Sequence, residues 1–290
     1  MMRRIVYLAV LLGFSAPGLV AQPASSTVYT QIAAGNGYSC ALAAGGIVWC
    51  WGKSEFGIFG DSQGSLVPVA LAGGTKFKSI TSGSVRMCGL TETGDAYCWG
   101  SNRDGVLGAR SGRDCILQYS GRVECAKQPL KVSGGLRFDR LASGATHTCG
   151  LSGSTIYCWG ANHQGQLGDG SKKERSAPVQ VSGGLQFESV FASGSSSCGR
   201  VGGQYYCWGS YPRAPIGEPR SNFSPTPVLL EGMLAQVIPG ACGLSLGGAF
   251  TCRGELLDAM THIGVGGVSV TFDEPKLVRF SSGSSGHSCG

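Results

Sequence analysis

Short quartets reading apolar–polar–polar–apolar recur along the chain: Phe77-Lys-Ser-Ile80, Phe138-Asp-Arg-Leu141 and Phe187-Glu-Ser-Val190. Val28-Tyr-Thr-Gln-Ile32 and Val278-Arg-Phe280 hold the same place in their own segments. Each predicts a short strand. Most are followed by a small residue and a glycine (Ala34-Gly35, Ser82-Gly83, Ser143-Gly144, Ser193-Gly194, Ser282-Gly283), which permits close backbone packing or a bulge. A cysteine-bounded apolar run comes next, at Tyr38 to Gly52, Arg86 to Gly100, His147 to Gly160 and Ser196 to Gly209, with a degraded copy from Pro239 to Gly254. A sixth copy opens at His287-Ser-Cys289. The first cysteines, Cys40, Cys88, Cys149, Cys198, Cys242 and Cys289, are 48, 61, 49, 44 and 47 residues apart. A unit of about 48 residues with one insertion has the length of a propeller blade. No long run carries a helical period.

Within each unit the turn chemistry follows the cysteine spacing. Opposing Cys149 with Cys158 leaves the two-residue loop Gly153-Ser154, and opposing Cys198 with Cys207 leaves Gly202-Gly203. These are the glycine-first pairs that tight hairpins require. Where the spacing is one longer, three residues ending in glycine remain: Ala44-Gly45-Gly46, Glu92-Thr93-Gly94 and Leu246-Gly247-Gly248. The sequence therefore predicts antiparallel hairpins with cysteines directly opposite. The expected disulfides are Cys40–Cys50, Cys88–Cys98, Cys149–Cys158, Cys198–Cys207 and Cys242–Cys252, because facing residues lie within disulfide reach. Metal binding is the competing reading of paired cysteines, but the short Cys-x-x-Cys and His spacings of zinc sites do not occur, so neither metal nor cofactor is expected.

The insertion falls in the second unit. Cys115 to Cys125 repeats the spacing around Tyr119-Ser120-Gly121 and predicts an extra disulfide-closed hairpin. It is a surface decoration or a partner-contacting loop, since long insertions in compact folds often carry function. Loops after the Trp-Gly pairs share a glycine signature: Phe56-Gly-Ile-Phe-Gly60, Asp104-Gly-Val-Leu-Gly108 and His163-Gln-Gly-Gln-Leu-Gly168, with a worn copy at Pro215-Ile-Gly217. Pro68, Pro129, Pro178, Pro227 and Pro275 lead the closing segments, which assigns those to the outer edge of each blade.

Forty-nine glycines in 290 residues suit turns and short strands, and 13 cysteines form a framework in an oxidising compartment. The N-terminus agrees with export. Arg3 and Arg4 precede the apolar run Ile5 to Phe14, and cleavage is expected between Ala21 and Gln22. Residues 1–21 thus read as a signal peptide, an uncleaved anchor being the alternative, and no later run is long enough to span a membrane. Residues 22–27 read as a linker and 28–290 as the repeat domain, with units near 28–76, 77–137, 138–186, 187–233, 234–277 and a partial 278–290. Losing Arg3 and Arg4 lowers the net charge from +6 to +4, with 21 basic against 17 acidic residues. No basic stripe with interleaved aromatics occurs, so nucleic acid is not an expected partner.

The residues Gly…His147-Thr-Cys149, Tyr157-Cys158-Trp159-Gly160 and Asn162 to Gly168 resemble the regulator-of-chromosome-condensation repeat family in a secreted bacterial form. Cys98-Trp99-Gly100-Ser-Asn102 and Cys50-Trp51-Gly52 carry it more weakly. The resemblance covers about residues 28–290 and implies an all-β propeller of four-stranded blades, usually seven. Five complete units and the opening of a sixth are present, whereas seven would take roughly 340 residues at this period. The sequence therefore reads as a truncated propeller rather than a complete smaller ring, with Cys289 left unpaired.

Trp51, Trp99, Trp159 and Trp208 read as packing between blades, with sugar stacking as the competing role. His147 and His287 are expected to hydrogen-bond within their blades; His163 and His262 lie in loops where they could contact ligands, but nothing pairs them with a nucleophile or carboxylate. No nucleophile elbow, His-Glu-x-x-His or phosphate loop occurs, so no enzyme is expected. The expected function is a secreted, periplasmic or cell-surface scaffold that binds another protein through propeller-face loops. A carbohydrate-binding module is the alternative, and an exchange-factor role follows from family analogy alone.

Overall fold

The computed structural model describes residues 27–60, 64–71, 73–112, 114–117, 121–212, 221–230, 234–238, 242–245, 250–252, 281–282 and 288–289. The signal segment, the Ala21–Gln22 bond, Leu246-Gly247-Gly248, Val278-Arg-Phe280, His262 and His287 lie outside them. Blade 1 is an antiparallel meander of β1 (Tyr29–Ala34), β2 (Tyr38–Ala43), β3 (Val48–Lys53) and β4 (Gly64–Ala70). Blade 2 contains β5 (Ser79–Ser82), β6 (Arg86–Leu90), β7 (Ala96–Ser101), β8 (Asp114–Leu117) and β9 (Gly121–Lys131). Blade 3 comprises β10 (Arg140–Ser143), β11 (His147–Ser152), β12 (Thr155–Gly160) and β13 (Arg175–Gln180). Blade 4 repeats it with β14 (Ser189–Ser193), β15 (Ser196–Val201), β16 (Gln204–Pro212) and β17 (Ser221–Leu230). A three-stranded sheet follows, of β18 (Leu234–Ile238), β19 (Cys242–Ser245) and β20 (Phe250–Cys252). A final pair, β21 (Ser281–Ser282) and β22 (Ser288–Cys289), lies against β1.

Each hairpin turns as its glycines require. Gly153 alone has positive φ in its two-residue loop, whereas Gly202 and Gly203 both do, so the tight hairpins use two different turn types. Cys40 and Cys50, Cys88 and Cys98, Cys149 and Cys158, and Cys198 and Cys207 face each other in register. All four pairs stand at disulfide distance with Cα atoms 4.1 Å apart. Cys242 and Cys252 also face each other in register. Replacing Cys149 and Cys158 together by alanine is expected to cost about 2–3 kcal/mol, because the bond shortens the unfolded chain's repertoire. Urea unfolding without reductant measures it, and unchanged stability would mean that the pair contributes no crosslink.

The predicted strand starts are corrected. Three of the inner strands begin two residues later than the quartets, and Phe77, Phe138 and Phe187 precede them. Their N–H groups instead donate to the previous blade's hairpin turn, at the carbonyls of Gly46, Gly94 and Ser154. Their rings drop into the core beside Trp99, Trp159 and Trp208. Glycine is required beneath them: a Cβ at Gly150 would lie 2.4 Å from the Phe138 ring. Phe spans the gap between blades, and that task removes it from the sheet.

The insertion differs too. Cys115 pairs in register with Val123, not with Cys125, so the register of β8 on β9 is two residues off the one that would put the cysteines opposite. The two cysteines stand diagonally, with Cα atoms 5.7 Å apart, still within disulfide distance. Nor is the hairpin separate from the blade. β9 runs continuously from it into the outer strand of blade 2, pairing with β8 over its first half and β7 over its second, so β8 becomes a fifth strand.

Candidate functional site

Two seams hold neighbouring blades together, and both are built from repeat positions. On the inner side, the residue two before the first cysteine of blades 1, 2 and 3 reaches into the next blade. The Tyr38 hydroxyl lies against the carbonyls of Gly83 (3.0 Å) and Arg86 (2.5 Å). Fully buried Arg86 donates to the Ala145 carbonyl at 2.8 Å, the Gly144 carbonyl at 3.3 Å, the Thr148 hydroxyl at 2.9 Å and the His147 carbonyl. Burial pulls its pKa down to about 10, with the nearby Tyr38 phenol opposing. His147 in turn meets Ser197 Oγ at 2.7 Å, which corrects the expectation that it bonds within its own blade. Ser197 gives its one proton to the Gln166 carbonyl at 2.8 Å, so His147 Nε2 is the donor and its Nδ1 is bare. A buried hydroxyl whose proton is so engaged is no nucleophile; the pair is a strut. Burial, followed by the Arg86 charge, lowers the His147 pKa to about 3.

The outer seam uses the glycine-signature loops. A 3-10 turn at Arg103–Gly105 puts Asp104 at φ 58°, and Gly105 then lies on the outer strand of blade 3, where a Cβ would meet the Ser176 Cα at 2.6 Å. Asn102 and Asn162 fasten these loops, accepting the N–H groups of Leu107 and Leu167 at 3.0 Å. Their amides donate to carboxylates: Asn162 to Asp169 at 3.1 Å, and Asn102 to Glu124 at 2.9 Å. Glu124 belongs to the inserted hairpin, which is thereby tied to the loop. Burial pushes its pKa up, but bonds from Ser111 and Asn102 outweigh this and hold it below the usual carboxylate range. Arg175 pairs with Asp169 at 2.8 Å in the same way.

The loops and the inserted hairpin share one end of the blades; the tight hairpin turns occupy the other. On the loop end, a groove of about 460 Å³ opens between blades 2 and 3, lined by Asn102, Gly105, Arg110, Gly112, Glu124, Glu174 and Ser176. At its edge Asp104, His163 and Glu174 converge, their ligand atoms all within 4.8 Å of one another. His163 thus does have carboxylates beside it, contrary to the sequence expectation: Asp104 comes from the loop of another blade, and Glu174 from eleven residues further along its own connection. Trp99, Trp159 and Trp208 are wholly buried and present no stacking face, whereas Trp51 is partly exposed.

Four-stranded antiparallel blades, stitched edge to edge around their inner strands, define a β-propeller with a grooved loop face. Its repeats are of the regulator of chromosome condensation (RCC1) type. Residues 154–199 match one model of that repeat, and residues 29–58 and 77–106 match a second. No curated protein matches the sequence. Among solved structures, yeast RCC1 (Prp20) bound to Kap60 is similar at 20% identity and TM-score 0.58, over 73% of this chain and 50% of that one. Human WBSCR16 is similar at 18% identity and TM-score 0.65, over 79% of this chain and 62% of its own. The CRINKLY WD40 ectodomain of the Arabidopsis thaliana receptor kinase ACR4 aligns at 19% identity and TM-score 0.51, over 90% and 76%. At these identities the likeness is one of fold. The chain therefore spans between half and two thirds of the yeast and human chains.

Proposed function

We propose that this protein is an exported, non-enzymatic scaffold that binds another protein across its loop face, centred on the groove between blades 2 and 3. The observation that carries the reading is the inserted hairpin: the repeat does not need it, yet Glu124 anchors it at the wall of that groove. Yeast Prp20 supports the class of function, being described with Kap60 bound and with binding properties toward Gsp1p and histones. Cysteine pairs in this number belong to an oxidising compartment, and among the described residues no helix is long and apolar enough to cross a membrane. Bacterial secretion through the residue 1–21 signal is part of the proposal. Burial of three of the four repeat tryptophans argues against the glycan alternative. The exchange-factor analogy is set aside, since an exported chain would not meet a nuclear GTPase.

A photo-crosslinking residue at Arg110, on the groove rim, is expected to capture one protein from the exported fraction. The same residue at Glu92, exposed on the opposite end, is expected to capture none. Equal labelling from both positions, or a selective glycan-array signal instead of capture, would overturn the assignment.

A further inference from the structure

We propose that the outer seam between blades 2 and 3 is a divalent transition-metal site, with Asp104, His163 and Glu174 as its ligands and Zn²⁺ as the ion it suits best.

The three side chains come from separate places: Asp104 from the blade 2 loop, His163 from the blade 3 loop, and Glu174 from the residue before β13. None of them is engaged in a hydrogen bond or ion pair with another of the described residues. Two carboxylates and an imidazole thus stand close together without an ion pair to a described cation. Their ligand atoms lie within 4.8 Å of one another. Bonds of about 2.0–2.2 Å to one tetrahedral ion place donors roughly 3.4 Å apart. His163 and Glu174 are exposed and Asp104 is half-buried, so ordinary rotamer changes close that gap.

The repeat itself does not require these residues. Register makes Arg175, opposite Gly160, equivalent to Ala126, opposite Gly100, and to Ser224, opposite Gly209. The positions of Asp104, His163 and Glu174 are therefore held by Phe56, Arg103 and Cys125 at the preceding seam, and by Gln164, Pro212 and Phe223 at the following one. Three ligand-type residues meet at this seam, and among the described residues neither adjoining seam carries such a set. Packing of loop on strand is common to the seams, so it does not explain the triad.

One imidazole with two carboxylates matches Zn²⁺ or a neighbouring transition ion better than Ca²⁺ or Mg²⁺, which take all-oxygen sets. Three protein ligands leave a coordination position for water or for a partner's side chain. Glu174 also lines the groove, so that position lies beside it. An ion here would add a polar tie between two blades that loop-on-strand packing and the Trp159 core already join. The site stands independently of whether a protein docks in the groove.

The test uses the untagged full chain, stripped with chelator and titrated calorimetrically with zinc chloride. One saturable site per chain is expected, together with a rise in melting temperature. His163→Ala and Glu174→Gln are each expected to weaken binding by at least about tenfold, equivalent to roughly 1.4 kcal/mol. Arg110→Ala, on the groove rim but outside the ligand set, is expected to leave it unchanged. Cobalt(II) provides a second readout, since its visible absorption should appear with the native chain and vanish with His163→Ala. Circular dichroism confirms that the variants, altered at exposed positions, are folded. Absence of saturable zinc binding would overturn the proposal, as would affinity that survives the His163→Ala/Glu174→Gln pair.

Discussion

Replacing Trp159 by alanine is expected to destabilise the protein by about 3–5 kcal/mol, the range for emptying a buried aromatic site. The indole is wholly buried, with its ring centroid 5.7 Å from that of Phe138. It belongs to blade 3 but shares a core with Leu107 and Val132 of blade 2, so the cavity would open between blades rather than within one. The site is also closed on the blade 2 side by Gly108, where a Cβ would stand 2.8 Å from the indole nitrogen. Phenylalanine substitutions sharpen the argument. Trp208 donates to the Gln166 carbonyl at 3.0 Å, whereas the Trp159 nitrogen is buried without a partner. Trp208→Phe is therefore expected to cost about 1 kcal/mol more than Trp159→Phe, the worth of one hydrogen bond. Urea unfolding of the three variants measures both effects. A Trp159→Ala loss below about 1 kcal/mol would show that blades 2 and 3 do not share this core.

Acid is expected to weaken the fold through His147 before the carboxylates contribute. The folded protein holds this imidazole neutral down to about pH 3, whereas the unfolded chain protonates it near 6.5. Falling pH thus places a proton on the unfolded state alone. The stabilisation is complete above the unfolded value, and it is lost as pH falls from 6.5 toward 3. The slope approaches about 1.4 kcal/mol per pH unit, which gives roughly 2 kcal/mol between pH 6.5 and 4.5. Asp95, Glu124, Asp169 and Glu188 all have lowered pKa values, and their stabilisation is lost below the ordinary carboxylate range, in a more acidic window. Unfolding curves of the native chain and His147→Gln, compared from pH 7 to 5, isolate the effect. The variant should be less stable at neutral pH and lose less on acidification. Parallel pH dependences would mean that His147 titrates in the folded protein like a solvated imidazole.

Local chemistry made the hairpins legible. A glycine before or after the turn, and cysteines spaced nine or ten apart, fix register because the side-chain period of a strand is two. The same logic failed at Cys115, where the long outer strand β9 sets the pairing and the cysteines settle for a diagonal. It failed again at Phe77, Phe138 and Phe187, whose apolar character signalled burial but not whether in a strand or beneath one. His147 was recognised as a repeat position, yet its partner, Ser197, lies fifty residues along the chain. Asn102 and Asn162, which pin the loops, stood inside the quoted motifs; their spacing to Leu107 and Leu167 was the signal that could have revealed them.

The sequence by itself determined the repeat, its turn lengths and the pairing partners of the blade cysteines, because each depends on residues a few positions apart. Tertiary structure alone decided what happens between blades. There, the glycine of one loop admits the outer strand of the next blade, and Arg86 and His147 reach across the inner seam. Asp104, His163 and Glu174 share no spacing that names a site, since they are brought together by the stacking of two separately folded units. Short-range pattern fixes each blade, whereas chemistry at a seam requires knowing which loops the packing of blades makes neighbours.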